Sequence, residues 1–305
     1  MSLAVEKSHP LFGAEIRGAD LRREPDAALV RAIEDAMAEF AVVVLRDQLI
    51  TDEEQIRFSR AFGPLELPPH MGLKRPDRRD LQLRIRPEMY DVSNLDSSGD
   101  FLPAESLKMA SNRANEEFHT DSSFNALPTK WSLLSARIVP PVGADTIYAD
   151  TRAAYDALPI AMKAKAETAV AEHDFWKTRG RAGFTVTDDM RRAMPPVPQP
   201  IVRTIPESGR KSLLIGNHAT HVIGWPLEEG QRFLDELNAF ATQPQFLYVH
   251  RWRVGDLVIW DNRCTVHRAT AYDVFKHKRD LRRTTINEHG PEISSTDALG
   301  IPQPV

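Results

Sequence analysis

The sequence predicts a mostly β fold with helical decoration (α+β), of the β-sandwich or jelly-roll type. It contains many short apolar runs of strand length, a few amphipathic helices between them, and no glycine-rich phosphate loop after a strand. Many short strands with a few outer helices pack best as two facing sheets. The 305 residues can bury a sizeable core, and we predict a single domain over 1–305.

The N-terminal elements follow from hydrophobic periodicity. Apolar residues at helical spacing predict amphipathic helices over 25–40 and 51–63. The second helix opens with a capping box formed by Thr51 and Glu54. Between the helices, the apolar run 41–46 predicts a buried strand.

The rest of the chain is predicted to be rich in strands. A helix is expected over 151–170, capped by Thr151, and another over 226–241 with Pro226 at its first position. The predicted strands are 131–139, 201–205, 212–216, 245–252, 256–260 and 282–286.

The segment 64–117 differs in composition from the chain around it. It is rich in Pro, Arg, Asp and Ser and precedes the most polar motif of the sequence. Such a segment is usually a solvated loop, but a long loop ahead of a polar site is also typical of a lid. We predict that 64–117 is a lid or active-site loop region.

Charge and cysteine content exclude several classes of protein. The net charge is −4 and the pI is about 6.2, which gives no electrostatic footprint for nucleic acid or an anionic membrane. No run approaches the roughly 18 apolar residues of a membrane span. Cys264 is the single cysteine, so neither a disulfide framework nor a thiolate cluster is expected. We therefore predict a cytoplasmic protein that binds neither nucleic acid nor membranes.

The motif FHTDSSF (118–124) carries the most specific chemistry. On a strand, His119 and Asp121 would share one face. Together with His267 they form a set of two histidines and one carboxylate, which suits non-haem Fe(II) and leaves coordination positions open. Arg279 follows twelve residues after His267 and could bind the distal carboxylate of an oxoacid with its fork of donors.

Each of these features also has a structural interpretation. A His-x-Asp pair can be a polar strand edge, a lone histidine near a strand end is often a core or surface residue, and an arginine-rich run is usually a solvated face. The order and spacing of the three features together favour a metal site.

Five ordered stretches resemble one enzyme family. They are FSRAFGPLE (58–66), HTDSSF (119–124), GADTIYADTRAAYDALP (143–159), SGRKSLLIGNHATHVIG (208–224) and RWRVGDLVIWDNRCTVHR (251–268). On these motifs, from about His9 to Thr285, the chain resembles the taurine/2,4-D dioxygenase family of Fe(II)- and 2-oxoglutarate-dependent oxygenases, most of all its phenoxyacetate-herbicide branch. The resemblance implies a double-stranded β-helix (jelly-roll) core.

The resemblance also implies roles for individual residues. His119, Asp121 and His267 match the iron ligands, which are the metal and catalytic residues of the family. Thr146 and Arg279 match the residues that hold the distal carboxylate of the cosubstrate 2-oxoglutarate; O2 is the second cosubstrate.

The predicted substrate contacts are Asn115, Arg283 and His218. Arg283 matches an arginine that faces the anionic group of the substrate, and Asn115 matches an asparagine that lines the same pocket. At a spacing of three residues, His218 and His221 would not both face the pocket from one strand, and His218 is the one we predict. The chain departs from the family at Phe118, where a tryptophan is usual.

The implied activity is hydroxylation of a small anionic organic substrate, coupled to decarboxylation of 2-oxoglutarate to succinate. An aryloxyalkanoate whose ether is cleaved after hydroxylation is the expected substrate. Alternatives are a sulfonate or alkyl-sulfate dioxygenase, a non-catalytic jelly-roll binding protein, and a zinc hydrolase, which would leave Arg279 and Thr146 without a role. By resemblance we expect a homo-oligomer, either a dimer or a tetramer.

Overall fold

The structure is a computed structural model that describes residues 3–68, 84–127, 129–181, 183, 185–289 and 293–294. The helices in these ranges are α1 (Ala27–Phe40), α2 (Asp52–Arg60), α3 (Leu107–Ala114), α4 (Thr151–Ala157), α5 (Ile160–Thr168), α6 (Phe175–Arg181), α7 (Asp188–Ala193), α8 (Leu227–Ala241) and a 3-10 helix (Pro244–Phe246). Even the longest of these described helices lacks the length and apolarity needed for crossing a membrane.

The described strands run from β1 to β17. They are β1 (Ala4–Lys7), β2 (Ala14–Arg17), β3 (Val42–Leu45), β4 (Leu65–Leu67), β5 (Tyr90–Ser93), β6 (Thr129–Ile138), β7 (Thr146–Asp150), β8 (Val170–His173), β9 (Val197–Pro200), β10 (Val202–Thr204), β11 (Lys211–Leu213), β12 (Ala219–Val222), β13 (Leu247–His250), β14 (Leu257–Asp261), β15 (Thr265–Ala269), β16 (Asp280–Asn287) and β17 (Ile293–Ser294).

Two facing sheets form the centre of the described fold. The larger sheet has the order β1-β2-β3-β14-β6-β16-β4-β17, with β5 paired to β16, and the smaller sheet has the order β13-β7-β15. Further pairing is found in the sheet β12-β8-β9 and in the pair β10-β11. This arrangement confirms the predicted mostly β jelly-roll fold with helical decoration.

Alternating side chains explain why the central strands are apolar throughout. On β14, Val258 and Trp260 share a core with Tyr148 of β7, between the two sheets. Leu257 and Ile259 point to the opposite face, where they pack with α1 and α2. On the outside of the smaller sheet, α4 and α8 cover β7 and β15. The fold therefore has helix, sheet, sheet and helix layers, and the central strands are buried on both faces.

Local capping explains where the N-terminal helices begin. The Asp26 carboxylate accepts hydrogen bonds from the backbone N–H groups of Ala28 and Leu29 at the start of α1. The predicted capping box of Thr51 and Glu54 is present at the start of α2. The predictions of these two helices, and of the strand between them, are confirmed.

The predicted helix over 151–170 is wrong in extent and in its cap. It is divided into α4 and α5 at Pro159, because a proline cannot continue the helix hydrogen-bond pattern, and β8 begins at Val170. The cap of α4 is Asp150, which accepts from the N–H groups of Arg152 and Ala153, and not Thr151. Pro226 likewise precedes the first residue of α8 instead of occupying it.

Segment 64–117 contains regular structure in its described part. It includes β4, β5 and α3, and β5 is paired with β16 in the larger sheet. Arg84 holds the segment to that sheet through ion pairs with Asp91 (2.6 Å) and Asp280 (2.7 Å). Residues 69–83 of this segment lie outside the described residues. They include the basic residues Lys74, Arg75, Arg78 and Arg79.

A buried ion pair stabilises the strand that leads into α4. Asp150 and Arg152 are each 1% exposed, and the guanidinium donates from both Nε and Nη2 to the two carboxylate oxygens at 3.0 Å. Because neither group can recover its hydration, losing one charge would leave the other uncompensated.

We therefore expect Asp150→Asn to lower the free energy of unfolding by about 3–5 kcal/mol, as measured by urea denaturation. The amide keeps an acceptor for the α4 cap but removes the charge facing Arg152. Asp156→Asn is the matched control, since Asp156 pairs with Arg210 where both side chains are exposed (58% and 38%), and it should cost less than about 1 kcal/mol. Equal losses in the two variants would contradict the role of the buried pair.

Candidate functional site

His119 and His267 are held together by the backbone. The two residues form an isolated antiparallel bridge, in which the His119 N–H donates to the His267 carbonyl (3.0 Å) and the His267 N–H donates to the His119 carbonyl (2.7 Å). His267 is the third residue of β15, and the turn before this strand (262–264) begins within the WDN motif (260–262). Their ring centroids are 4.3 Å apart.

The prediction that His119 and Asp121 lie on one strand edge is wrong. Beyond the single bridge at His119 the chain enters a turn that contains Asp121, and Ser122 adopts a positive φ of 57°. Buried Glu66 of β4 stabilises this turn, because its carboxylate accepts a hydrogen bond from the Ser122 hydroxyl (2.8 Å). The turn, and not strand alternation, brings the Asp121 carboxylate to the histidines.

Gly216 makes room for this arrangement. A Cβ at this position would lie 3.0 Å from the His119 Cα and 3.2 Å from the Phe118 carbonyl oxygen. Its φ of +118° also disfavours any side chain. The next residue, Asn217, donates its N–H to the Phe118 carbonyl at 2.9 Å. A glycine is therefore needed where this segment passes behind His119.

The structure brings the three predicted metal ligands together. His119, Asp121 and His267 are buried, and one potential ligand atom from each lies within 4.8 Å of the others. The Asp121 carboxylate oxygens are 4.0 Å from His119 Nε2 and 3.9 Å from His267 Nε2. Two metal–ligand bonds of about 2 Å span at most about 4 Å, so these separations are at the upper limit for atoms that share one metal ion. The three residues can therefore hold one divalent cation.

The protonation states also suit a cation. Burial lowers the pKa of His119 and the pKa of His267, which keeps both imidazoles neutral. His119 Nδ1 lies 2.8 Å from the Glu117 carbonyl oxygen, so it carries the proton and leaves Nε2 with a lone pair. Burial raises the pKa of Asp121, whereas the Arg283 guanidinium and the hydrogen bond from Ser132 lower it, and the resulting pKa is about 2.

Asp121 is oriented by Ser132, which the sequence did not single out, and by Asn262 of the WDN motif. The Ser132 hydroxyl donates to Asp121 Oδ2 at 2.7 Å. Asn262 accepts the Asp121 N–H at its Oδ1 (3.2 Å), donates to Ser132 Oγ (2.9 Å), and accepts the Thr120 hydroxyl at its backbone carbonyl (2.6 Å). The asparagine of the WDN turn thus connects the turn after β14 to the segment that carries Asp121.

Thr146 is the first residue of β7, which pairs with β15, and Arg279 immediately precedes β16. Arg279 is 7% exposed, and its backbone N–H donates to Asn94 (2.8 Å). Its side chain has no carboxylate partner among the described residues, and its Nε is buried without a hydrogen bond. Burial lowers the pKa of Arg279, whereas the phenol groups of Tyr272 and Tyr148 act in the opposite direction. Such a cation can bind an anion that enters the site.

Thr146 begins β7, and the register pairs it with Ala269 while Tyr148 pairs with His267. Trp252 Nε1 donates to the Thr146 hydroxyl oxygen at 3.0 Å. The hydroxyl oxygen therefore serves as an acceptor for Trp252, and its own hydrogen is available to a bound ligand. Trp252 is a second positioning residue that the sequence did not reveal.

Two of the three residues predicted to contact substrate, Arg283 and His218, lie beside the predicted metal ligands. Arg283 on β16 donates from Nη1 to Asp121 Oδ1, and its guanidinium lies 4.3 Å from the centre of the Tyr90 ring. His218 is buried and its ring meets His119 edge-on at 6.3 Å. His221 is turned away, beside Glu172. The backbone carbonyl of Asn115 accepts a hydrogen bond from the Ala269 N–H at 2.9 Å.

Aromatic side chains form one wall beside the predicted metal position. Phe124 lies 4.7 Å from both Phe175 and His218, measured between ring centroids. Phe118, which stands where the family usually has tryptophan, faces the Arg268 guanidinium (5.3 Å) and packs with the core under the smaller sheet. Phe124 belongs to the motif FHTDSSF (118–124) and could be identified from the sequence. Phe175 begins α6, which contains no motif that marks it as part of the site.

Comparison with known proteins agrees with this geometry. Residues 4–285 match the family described as taurine catabolism dioxygenase TauD, TfdA family. The chain is 44% identical over 286 residues to the alpha-ketoglutarate-dependent 2,4-dichlorophenoxyacetate dioxygenase of Cupriavidus pinatubonensis (93% of this chain, 98% of the relative). It is 38% identical over 270 residues to the (S)-phenoxypropionate/alpha-ketoglutarate-dioxygenase of Sphingobium herbicidovorans (86% and 88%).

A solved structure shares the fold. The crystal structure of AAD-2 in complex with Mn(II) and N-oxalylglycine matches with a TM-score of 0.84 and 41% identity, over 96% of this chain and 99% of that one. The predicted resemblance, the double-stranded β-helix fold and the dioxygenase class are thereby confirmed. The chain belongs to the taurine catabolism dioxygenase TauD, TfdA family.

Proposed function

We propose that this protein is an Fe(II)- and 2-oxoglutarate-dependent dioxygenase that hydroxylates an aryloxyalkanoate carboxylate beside its ether oxygen. The observation that carries the proposal is the buried cluster of His119, Asp121 and His267, with Arg283 paired to Asp121. The relatives named for 2,4-dichlorophenoxyacetate and (S)-phenoxypropionate support this substrate class.

His119 Nε2, a carboxylate oxygen of Asp121 and His267 would hold the iron. When bound, Fe(II) supplies the activation of O2 and the oxidation of a substrate C–H bond. Two histidines and one carboxylate occupy one face of the metal and leave the other positions for cosubstrates. The protein contributes neutral imidazoles, a carboxylate that stays ionised, and a buried setting.

Arg279 and Thr146 would bind the distal carboxylate of 2-oxoglutarate. A guanidinium can donate two parallel hydrogen bonds to a carboxylate, and the Thr146 hydroxyl adds a third donor. Because Trp252 already donates to the Thr146 oxygen, the hydroxyl hydrogen is directed elsewhere. Thr146 lies on β7, which pairs with the strand that carries His267, and Arg279 immediately precedes β16, the strand that carries Arg283.

Arg283 would face the carboxylate of the organic substrate, with Asn115 and His218 lining the pocket. Its Nη1 contacts Asp121, and its Nε is buried without a partner among the described residues, so donors remain for an anion. Phe124, Phe175 and His218 offer an apolar surface for an aryl ring.

The balanced reaction is substrate, 2-oxoglutarate and O2 giving hydroxylated substrate, succinate and CO2. Hydroxylation of the carbon next to the ether oxygen produces a hemiacetal. This product collapses to a phenol and an oxoacid as the C–O bond breaks and the hydroxyl proton is transferred to the leaving phenolate. The phenol is therefore a direct reporter of ether cleavage.

We further propose that residues 1–305 act as one catalytic domain in which 64–117 shapes the entrance, and that the protein is a cytoplasmic homo-oligomer, either a dimer or a tetramer. The buried free thiol of Cys264 fits a reducing compartment. The proposed substrate is a small organic anion.

The function is tested by measuring succinate and phenol release with Fe(II), 2-oxoglutarate and O2. We expect phenoxyacetate to drive both products in equal amounts, because one hydroxylation cleaves one ether. Taurine and a linear alkyl sulfate, which carry an anion but no aryl ether, are the matched alternatives. Succinate release that depends on either of them and not on phenoxyacetate would contradict the aryloxyalkanoate assignment.

Asp121→Ala should abolish succinate formation while the fold is retained. The substitution removes one metal ligand and leaves Arg283 without its carboxylate partner. Circular dichroism and the melting temperature report the fold, and Asp235→Ala, at an exposed position of α8, is the control. Normal turnover by the folded Asp121 variant would refute the metal assignment.

Asn262→Ala should weaken metal binding by about 10- to 100-fold, since residues that orient metal ligands typically contribute that much. The variant keeps all three ligands but loses the contacts to Asp121 and Ser132. Mn(II) titration followed by electron paramagnetic resonance measures the affinity without turnover. An unchanged dissociation constant would show that Asn262 does not orient the ligand set.

A further inference from the structure

Tyr90 of β5 lies directly opposite Arg283 of β16. The antiparallel register of the two strands pairs these residues, and side chains that are paired in this way stand on the same face of a sheet. Val92, two residues further along β5, packs with the core between the two sheets, so alternation directs Tyr90 to that interior face as well. Main-chain pairing therefore places Tyr90 next to the proposed substrate-binding arginine.

The Tyr90 ring forms a cation–π contact with this arginine. The central carbon of the Arg283 guanidinium lies 4.3 Å from the centre of the ring. The face of an aromatic ring attracts a cation at this distance, and the attraction is larger where the cation is shielded from water. The Arg283 side chain is only 14% exposed, so the ring contact is one of its main interactions.

The hydroxyl end of Tyr90 is fixed by Glu66. The phenol donates to Glu66 Oε1 at 2.5 Å. Glu66 is 2% exposed, and its carboxylate also accepts hydrogen bonds from the hydroxyls of Ser122 (2.8 Å) and Thr129 (2.8 Å). The three donors belong to β5, to the turn that contains Asp121 and to β6. The ring is therefore tied to the network that stabilises the Asp121 turn.

Arg283 is thereby held from two sides. Its Nη1 donates to Asp121, and its guanidinium rests against the Tyr90 ring. A single hydrogen bond would let the guanidinium turn about that contact, whereas the ring limits the turn. The Nε of Arg283 is buried without a hydrogen-bond partner among the described residues. The donors of Arg283 are therefore kept in one orientation before an anion binds.

We propose that Tyr90 is a positioning residue, which holds the Arg283 guanidinium in the orientation that binds the carboxylate of the substrate. This assignment rests on the proposed function. An arginine that is already ordered loses less side-chain entropy when an anion binds, so the anion is bound more tightly. Tyr90 belongs to the segment 64–117, and through this contact the segment would influence the substrate site.

The role of Tyr90 should depend on the charge of the substrate. Because Arg283 would meet the anionic group, a misoriented guanidinium weakens the binding of a carboxylate and changes little for a neutral molecule of the same shape. A tyrosine that only packed against the aryl ring would affect both molecules equally. Selectivity for the anion is therefore the property that separates the two roles.

The test compares Tyr90→Leu, which removes the ring, with Tyr90→Phe, which keeps the ring and removes its anchor. Tyr155→Phe is the matched control, because Tyr155 on α4 also donates its phenol hydrogen to a glutamate, Glu167, and packs in the core outside the smaller sheet. Binding of phenoxyacetate and of phenoxyacetamide, its neutral isostere, is measured by isothermal titration on enzyme loaded with Mn(II) and 2-oxoglutarate. The melting temperature and the electron paramagnetic resonance of Mn(II) report the fold and the metal site.

We expect Tyr90→Leu to weaken phenoxyacetate binding by about 5- to 30-fold, the size of a partly desolvated cation–π contact, and to change phenoxyacetamide binding by less than about threefold. Tyr90→Phe should lose about two- to fivefold, the size of one hydrogen bond, because the ring remains. Tyr155→Phe should affect neither probe. In turnover with Fe(II), Tyr90→Leu should raise KM for phenoxyacetate more than it lowers kcat, since the contact acts on binding.

A double-mutant cycle shows whether Tyr90 acts through Arg283. In the Arg283→Gln background, Tyr90→Leu should weaken phenoxyacetate binding by less than about twofold, because no guanidinium is left to orient. The same loss in both backgrounds would overturn the positioning role, and so would an equal loss for phenoxyacetate and phenoxyacetamide.

The failure of this assignment is distinguishable from the failure of the proposed function. A wild-type enzyme that does not bind phenoxyacetate would contradict the substrate class itself. Wild-type binding that folded Tyr90→Leu leaves unchanged would contradict only the role of Tyr90. If Tyr90→Leu does not fold, Tyr90→Phe decides, and phenoxyacetate binding equal to that of Tyr155→Phe would then overturn the assignment.

Discussion

The buried negative charge of Asp121 is the constraint on which the site depends. An isolated carboxylate in this position would carry a desolvation cost of several kcal/mol, so the surrounding structure must compensate it. Arg283 and Ser132 do so directly, and they come from neighbouring strands whose register pairs Arg283 with Leu134 and Thr285 with Ser132. The pairing of β6 with β16 in the larger sheet thus forms part of the core and also places the two side chains that contact Asp121.

The second requirement is that the two histidines stay at a fixed separation. Their backbones exchange two hydrogen bonds, which makes their spacing a property of the main chain. Asn262 then connects the turn before β15 to Thr120 and Asp121, so that movement of one ligand would disturb the others. Gly216 permits the close backbone contact behind His119. Ligand geometry therefore depends on backbone contacts as much as on the ligands themselves.

Alternation along β16 separates structural from functional charges. Asp280 and Arg282 point to one face, where they form ion pairs with Arg84 and Asp52. Arg283 points to the other face, toward Asp121. Neighbouring arginines of this strand therefore have different partners. Arg282 forms ion pairs on one face of the strand, and Arg283 contacts Asp121 on the other. Arg279, which immediately precedes this strand and is buried, is a second cation that would suit an anionic cosubstrate.

The sequence by itself determined the type of fold and the family, and it predicted the candidate ligands. Periodicity, caps and five ordered motifs are local properties. His119, Asp121, His267 and Thr146 could be singled out because each lies in a motif, and Arg279 because it follows His267 by twelve residues. Only the tertiary structure decided how these residues meet. Asp121 lies in a turn and not on a strand, because Ser122 bends the chain there. The ring of His218 meets that of His119, whereas His221 lies beside Glu172. Strand register and helix packing involve contacts between residues far apart in the chain, and no local pattern encodes them.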